Sequence, residues 1–132
     1  MTVSVLLITH ENLGKILLEI TTRVLGVCPL QTDTLCVPFD SDPDQMLAQA
    51  QAKVETMNSG DGVLILTDMF GATPSNIAHK LSKPEHVMVV TGLNMPMMMR
   101  VMNYPDLTLT QLVEIAVDGG KDGVLFNRRE IT

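Results

Sequence analysis

The amino-acid sequence predicts an α/β domain, a mostly parallel sheet with helices on both faces. Three observations carry that reading. Compact apolar runs of strand length recur at Val3–Ile8, Thr34–Phe39, Val63–Thr67 and His86–Thr91. Stretches with the i, i+3, i+4 spacing of a helix separate them. The chain is 45% hydrophobic but only 3% aromatic, with ten Met, so its core is aliphatic. At 132 residues, with no linker, internal repeat or low-complexity tract, residues 1–132 read as one domain.

Each element follows from local signals. Val3–Ile8 is β-rich and ends at Thr9-His10. From Asn12 the period changes, and Leu13, Ile16, Leu17, Ile20, Val24 and Leu25 form a helical stripe that Gly26 closes. The Thr34–Phe39 strand is stopped by Asp40-Ser41-Asp42-Pro43, where Asp42 suits a helix cap and Pro43 the first helical position. Met46, Leu47, Ala50 and Val54 then face one way. Asn58–Gly62 is a turn before Val63–Thr67. Thr73, as cap, and Pro74 open a third helix, which runs to Ser82-Lys83-Pro84. After His86–Thr91, helices are expected at Pro96–Asn103 and Leu109–Val117, the last stopped by Gly119-Gly120. Gly123–Asn127 reads as a short edge strand.

Composition narrows the function. Nine Lys/Arg against fifteen Asp/Glu give a net charge of −6 with no cationic cluster, which a nucleic-acid backbone would repel. No apolar run approaches the ~20 residues of a membrane helix. No basic stretch precedes the first apolar run, so no signal peptide is read and a cytoplasmic protein is expected. Cys28 and Cys36 lack metal-site or redox spacing and are expected to be buried free thiols. Phosphate-binding Gly-x-x-x-x-Gly-Lys and dinucleotide-binding Gly-x-Gly-x-x-Gly turns are absent. A response regulator would need an acidic pair after strand one, where this chain has Thr9-His10-Glu11.

In an open parallel sheet, ligands bind beyond the carboxyl ends of the strands, where the strand order reverses. The first and third strands are often neighbours there, which would bring His10 to Asp68. A carboxylate on one ring nitrogen fixes the tautomer, steadies positive charge on the imidazole and leaves the other nitrogen nucleophilic. Gly71-Ala72-Thr73 leads into a helix N-terminus, whose free N–H groups favour a phosphate. Histidine, carboxylate and anion-binding helix start together suggest a phosphorylatable histidine.

Three segments carry a resemblance. Val5-Leu6-Leu7-Ile8-Thr9-His10, Leu64–Asn76 with its Thr-Asp-x-x-Gly-x-Thr-Pro-x-Asn pattern, and Val90–Met97 with Gly-x-Asn-x-Pro-Met resemble the mannose-family enzyme IIA of the bacterial phosphoenolpyruvate-dependent sugar phosphotransferase system. The resemblance implies that His10 accepts a phosphoryl group from phospho-HPr and passes it to an enzyme IIB. It places Asp68 on the orienting carboxylate and Thr73 on a nearby hydroxyl position. It further implies a homodimer that exchanges an edge strand, here Gly123–Asn127, and a reaction without metal or organic cofactor. Glu11 stands where the family often has a small residue such as Gly, and is expected to point to solvent. The chain reaches Thr132 without a linker or IIB domain, so the IIB is expected on a separate protein. A stand-alone regulatory phosphoprotein and a dihydroxyacetone kinase phosphotransfer subunit would present the same His10 chemistry. Met95, Met97, Met98, Met99 and Met102 are read as adaptable packing, His79 and His86 as structural or solvated, and Arg100 as a surface ion pair.

Overall fold

The computed structural model describes residues 2–127. Its elements are β1 (Ser4–His10), α1 (Leu13–Leu25), β2 (Thr32–Val37), α2 (Pro43–Met57), β3 (Val63–Thr67), α3 (Thr73–Lys80), β4 (Val87–Thr91), α4 (Met95–Met102) and α5 (Leu109–Asp122). The four strands form one sheet in the order β2-β1-β3-β4 with every pair parallel. The mostly parallel sheet with helices on both faces is thus the observed fold. No helix among the described residues is long and apolar enough to cross a membrane.

Both central strands are buried on both faces, which is why they read as unbroken aliphatic runs. Val5, Leu7, Leu64 and Leu66 pack with Met97, Met98, Met102, Leu112 and Ala116 of α4 and α5. Leu6, Ile8, Val63 and Ile65 pack with Met46, Ala50 and Val54 of α2 and Ile77 of α3. Three methionines of α4, Met97, Met98 and Met102, accordingly fill core space, while Met95 and Met99 are half-buried.

Several expectations are corrected. β2 lies two residues earlier than the apolar pattern suggested, because its register is set by pairing of Val5 with Thr32 and His10 with Val37. Pro38, with no N–H to donate, follows its end, and Phe39 falls on the loop. Helix α5 does not stop at Gly119-Gly120 but runs through both to Asp122. The reason is close approach: a Cβ on Gly119 would lie 2.5 Å from Arg100 Cβ, and one on Gly120 2.9 Å from Met97 Cε. Glycine here serves helix packing rather than termination.

The stripe on α1 is divided. Leu17 and Leu25 pack on the core, whereas Leu13, Ile16, Ile20 and Val24 are exposed. The expected strand Gly123–Asn127 is not part of this chain's sheet. Gly123 and Val124 donate their N–H groups back to the Gly119 and Lys121 carbonyls, closing the helix, and residues 124–127 are irregular and exposed. Neither cysteine is fully buried, although both are free: Cys28 is exposed and Cys36 half-buried. Arg100 makes the expected surface ion pair, to Asp122 at 3.5 Å.

Candidate active site

The strand order reverses between β1 and β3, so the carboxyl ends of these two strands open the crevice of the sheet. Their last paired residues are Ile8 and Thr67. His10 ends β1 and Asp68 leaves β3 one residue later, and the two meet although 58 positions apart in sequence.

One carboxylate oxygen of Asp68 makes two contacts with His10. Oδ2 accepts from the His10 backbone N–H at 3.0 Å and lies 2.9 Å from Nδ1 of the ring. The other oxygen, Oδ1, accepts from the Met69 N–H at 3.1 Å, fixing the carboxylate plane. The side chains are 24% and 10% exposed for His10 and Asp68, so the pair is screened from bulk water without being sealed. An acceptor on Nδ1 assigns the ring proton to that nitrogen. Nε2 is then the lone-pair nitrogen, the one able to act as a nucleophile.

The other predicted site residues lie on the β3–α3 turn. Gly71 has φ +85°, a backbone conformation that a side chain would strain. Ala72, not Thr73, is the N-cap of α3, with φ −88° and ψ 168°. The helix starts one residue earlier than the Thr-Pro pattern suggested, which places Thr73 in its first turn, exposed. Alanine has no side-chain acceptor, so the first-turn N–H groups of α3 have no side-chain cap, whereas Asp42, Asn94 and Thr108 cap α2, α4 and α5. Uncapped N–H groups at a helix start favour an anion. His79 and His86 are exposed and stand apart from this pair, His79 against the ring of Phe70 at 5.7 Å.

Phe39 is a neighbour of His10 that was not foreseen, and the expectation for Glu11 is corrected. The ring of Phe39 stacks on the imidazole with centroids 5.3 Å apart and planes 27° from parallel, while Phe39 itself is 81% exposed. Glu11 does not simply point to solvent, because its Oε1 accepts from the Phe39 N–H at 3.0 Å. The available sequence signal for Phe39 was a large apolar residue directly ahead of the Asp40-Ser41-Asp42-Pro43 loop.

The family profile EIIA-man, described as PTS system fructose IIA component, matches residues 4–117. The chain is 27% identical over 129 residues to the PTS system mannose-specific EIIAB component of Escherichia coli K12, covering 94% of this chain and 39% of that protein. The chain therefore spans well under half of that relative. Among solved structures, the mannose/sorbose-specific IIA subunit of the phosphotransferase system from Enterococcus faecalis superposes with a TM-score of 0.85 at 22% identity, over 100% of both chains. The phosphotransferase system component EIIA from Streptococcus agalactiae gives 0.80 at 19% identity, over 94% of this chain and 96% of that one. These two show the shared fold. With the profile spanning most of the chain, the protein belongs to the EIIA-man family of phosphotransferase system IIA components.

Proposed function

We propose that His10 carries the phosphoryl group, taking it from phospho-HPr and passing it to an enzyme IIB. The observation that supports this most is the 2.9 Å contact between Asp68 Oδ2 and His10 Nδ1, which leaves Nε2 as the nucleophile. In the forward step the N–P bond of the donor phosphohistidine breaks and its electron pair leaves with the donor ring. The lone pair of His10 Nε2 forms the new N–P bond, and the proton on Nδ1 stays against Asp68. The imidazole becomes positive as the bond forms, and the adjacent carboxylate favours that charge. Gly71, Ala72 and Thr73 at the start of α3 receive the phosphoryl oxygens, through backbone N–H groups and the Thr73 hydroxyl. Because the chemistry is a transfer between two rings, catalysis consists of positioning and charge stabilisation.

The carrier works in the cytoplasm as a homodimer. Exposed Leu13, Ile16, Ile20 and Val24 on α1, with Val124, Leu125 and Phe126 after α5, form apolar surface suited to a second copy. Light scattering should give twice the chain mass, and Phe126→Glu should shift the protein toward monomer. A monomer at micromolar concentration in the wild type would refute the dimer.

Intact-mass spectrometry after incubation with phosphoenolpyruvate, enzyme I and HPr tests the carrier role. One acid-labile phosphoryl group is expected on the wild type and none on His10→Ala. Labelling that survives in His10→Ala would place the acceptor elsewhere.

A further inference from the structure

His10 is held on a second side, by a device outside the His10–Asp68 pair. Resting on His10 as the phosphoryl acceptor, we propose that Phe39 is a positioning residue for its ring and that Glu11 latches Phe39 in place. A single hydrogen bond from Nδ1 to Asp68 leaves the imidazole free to rock about that contact. A ring stacked on one face, at 5.3 Å and 27°, removes this freedom and fixes the direction in which Nε2 points.

Phe39 is not held there by the core. It is 81% exposed and sits beyond the end of β2, where Pro38 has interrupted the strand. What anchors it is its own backbone N–H, bound by Glu11 Oε1 at 3.0 Å. Glu11 in turn is tied to β2 through its N–H, which donates to the Val37 carbonyl at 3.0 Å. Its φ is +46°, in the left-handed region where glycine is at ease and glutamate is strained. A strained side-chain-bearing residue next to a reactive histidine points to a role for its side chain. That role is the bond to Phe39, which also directs the Glu11 charge to an amide.

The latch also acts on charge. Phosphorylation of Nε2 with Nδ1 protonated leaves the imidazole cationic, and an aromatic face within about 6 Å attracts a cation. An exposed contact of this kind corresponds to about a two- to fivefold effect on the rate of phosphoryl acceptance.

Proton–carbon NMR of the His10 ring, with acceptance rates from phospho-HPr, separates the possibilities. The Phe39 ring current should displace the His10 Cδ2–H and Cε1–H signals. Phe39→Leu should abolish that displacement and slow acceptance about two- to fivefold, and Phe39→Tyr should retain both. Glu11→Gly relieves the backbone strain while removing the latch, so it should fold normally, lose the displacement and slow acceptance like Phe39→Leu. Glu11→Gln, which keeps an acceptor oxygen, should retain the displacement. Unmoved His10 signals in Phe39→Leu overturn the stack, and unmoved signals in Glu11→Gly overturn the latch. Faster acceptance by Glu11→Gly than by wild type would mean that the glutamate charge opposes the phosphoryl group, and also overturns the proposal. Absence of phosphorylation on wild-type His10 would refute the carrier role alone, since the ring signals are read without any donor.

Discussion

Replacing Asp68 by Asn removes one charge and changes almost no volume, so it isolates what the carboxylate does for His10. In the wild type, Oδ2 accepts from both the His10 N–H and the ring, at 3.0 and 2.9 Å, and Oδ1 accepts from Met69. A carboxamide has one acceptor oxygen for these three donors. If that oxygen faces the ring, the Nδ1 tautomer survives but the charge-assisted bond becomes neutral, a loss of about 1–1.5 kcal/mol, or roughly 5- to 13-fold in rate. If the NH2 group faces the ring, it donates to Nδ1, the ring proton moves to Nε2 and the nucleophile is blocked. The expected result is therefore acceptance slowed by at least about fivefold, and by far more if the amide flips, with the fold intact because the backbone donors keep a partner or meet solvent. A time course of phosphoryl incorporation from phospho-HPr measures it, with a thermal melt to verify folding. A folded Asp68→Asn protein that accepts within about threefold of wild type would falsify the orienting role and leave Asp68 as a turn residue.

Other outcomes follow from the same structure. Gly119→Ala should lower stability by about 1–2 kcal/mol in urea denaturation, since a Cβ 2.5 Å from Arg100 Cβ overpacks the α4–α5 contact by more than the gain in helix propensity. An unchanged midpoint would show that the helices separate freely. At Asp33, burial pushes the carboxyl up, but the Lys53 hydrogen bond, the Thr34 N–H and the Lys53 charge together hold it below its ordinary value. Its contribution is therefore present above the unfolded-state pKa, near 4, and is lost as pH falls through the lower folded value. Lys53→Met should remove at most about 1 kcal/mol at pH 7, because the 2.7 Å pair is partly exposed, and should flatten the acid limb of stability against pH. A difference that persists unchanged below pH 3 would mean that the effect is packing of the lysine stem.

The legible parts of this sequence were those in which local and tertiary preferences agree. β1 and β3 are buried on both faces, so their aliphatic runs could be only central strands, and the residues leaving them were readable as candidate site residues. That gave His10 and Asp68. Gly26, which closes α1 in the left-handed conformation, and Asp42, which caps α2, were legible for the same reason. The misses arose where a distant contact decides. Gly119 and Gly120 signal a helix end locally, but their surroundings are α4, which needs them small. β2 was misplaced because an edge strand takes its register from its neighbour rather than from its own pattern. The outward half of the α1 stripe has helical spacing whether or not the face is covered. Phe39 looked like the last residue of a strand, and only the three-dimensional return of its loop to Glu11 reveals its position on the imidazole.

The doubly used oxygen of Asp68 has a consequence for motion. Beyond the Ile8–Thr67 pair the β1–β3 ladder has run out of strand, and the next inward-facing donor, the His10 N–H, finds a side-chain oxygen in place of a carbonyl. The His10–Asp68 pair is thereby continued from the sheet's own hydrogen bonding rather than suspended from a turn. Fluctuations of the exposed Phe70 and Gly71 can proceed without separating ring from carboxylate. Slippage of β1 against β3 would break the backbone bond and the ring contact in one event. Hydrogen exchange at the His10 amide thus becomes a readout of site integrity. It should be slow, in company with the central-strand amides, and it should report sheet opening and loss of phosphoryl acceptance as the same transition.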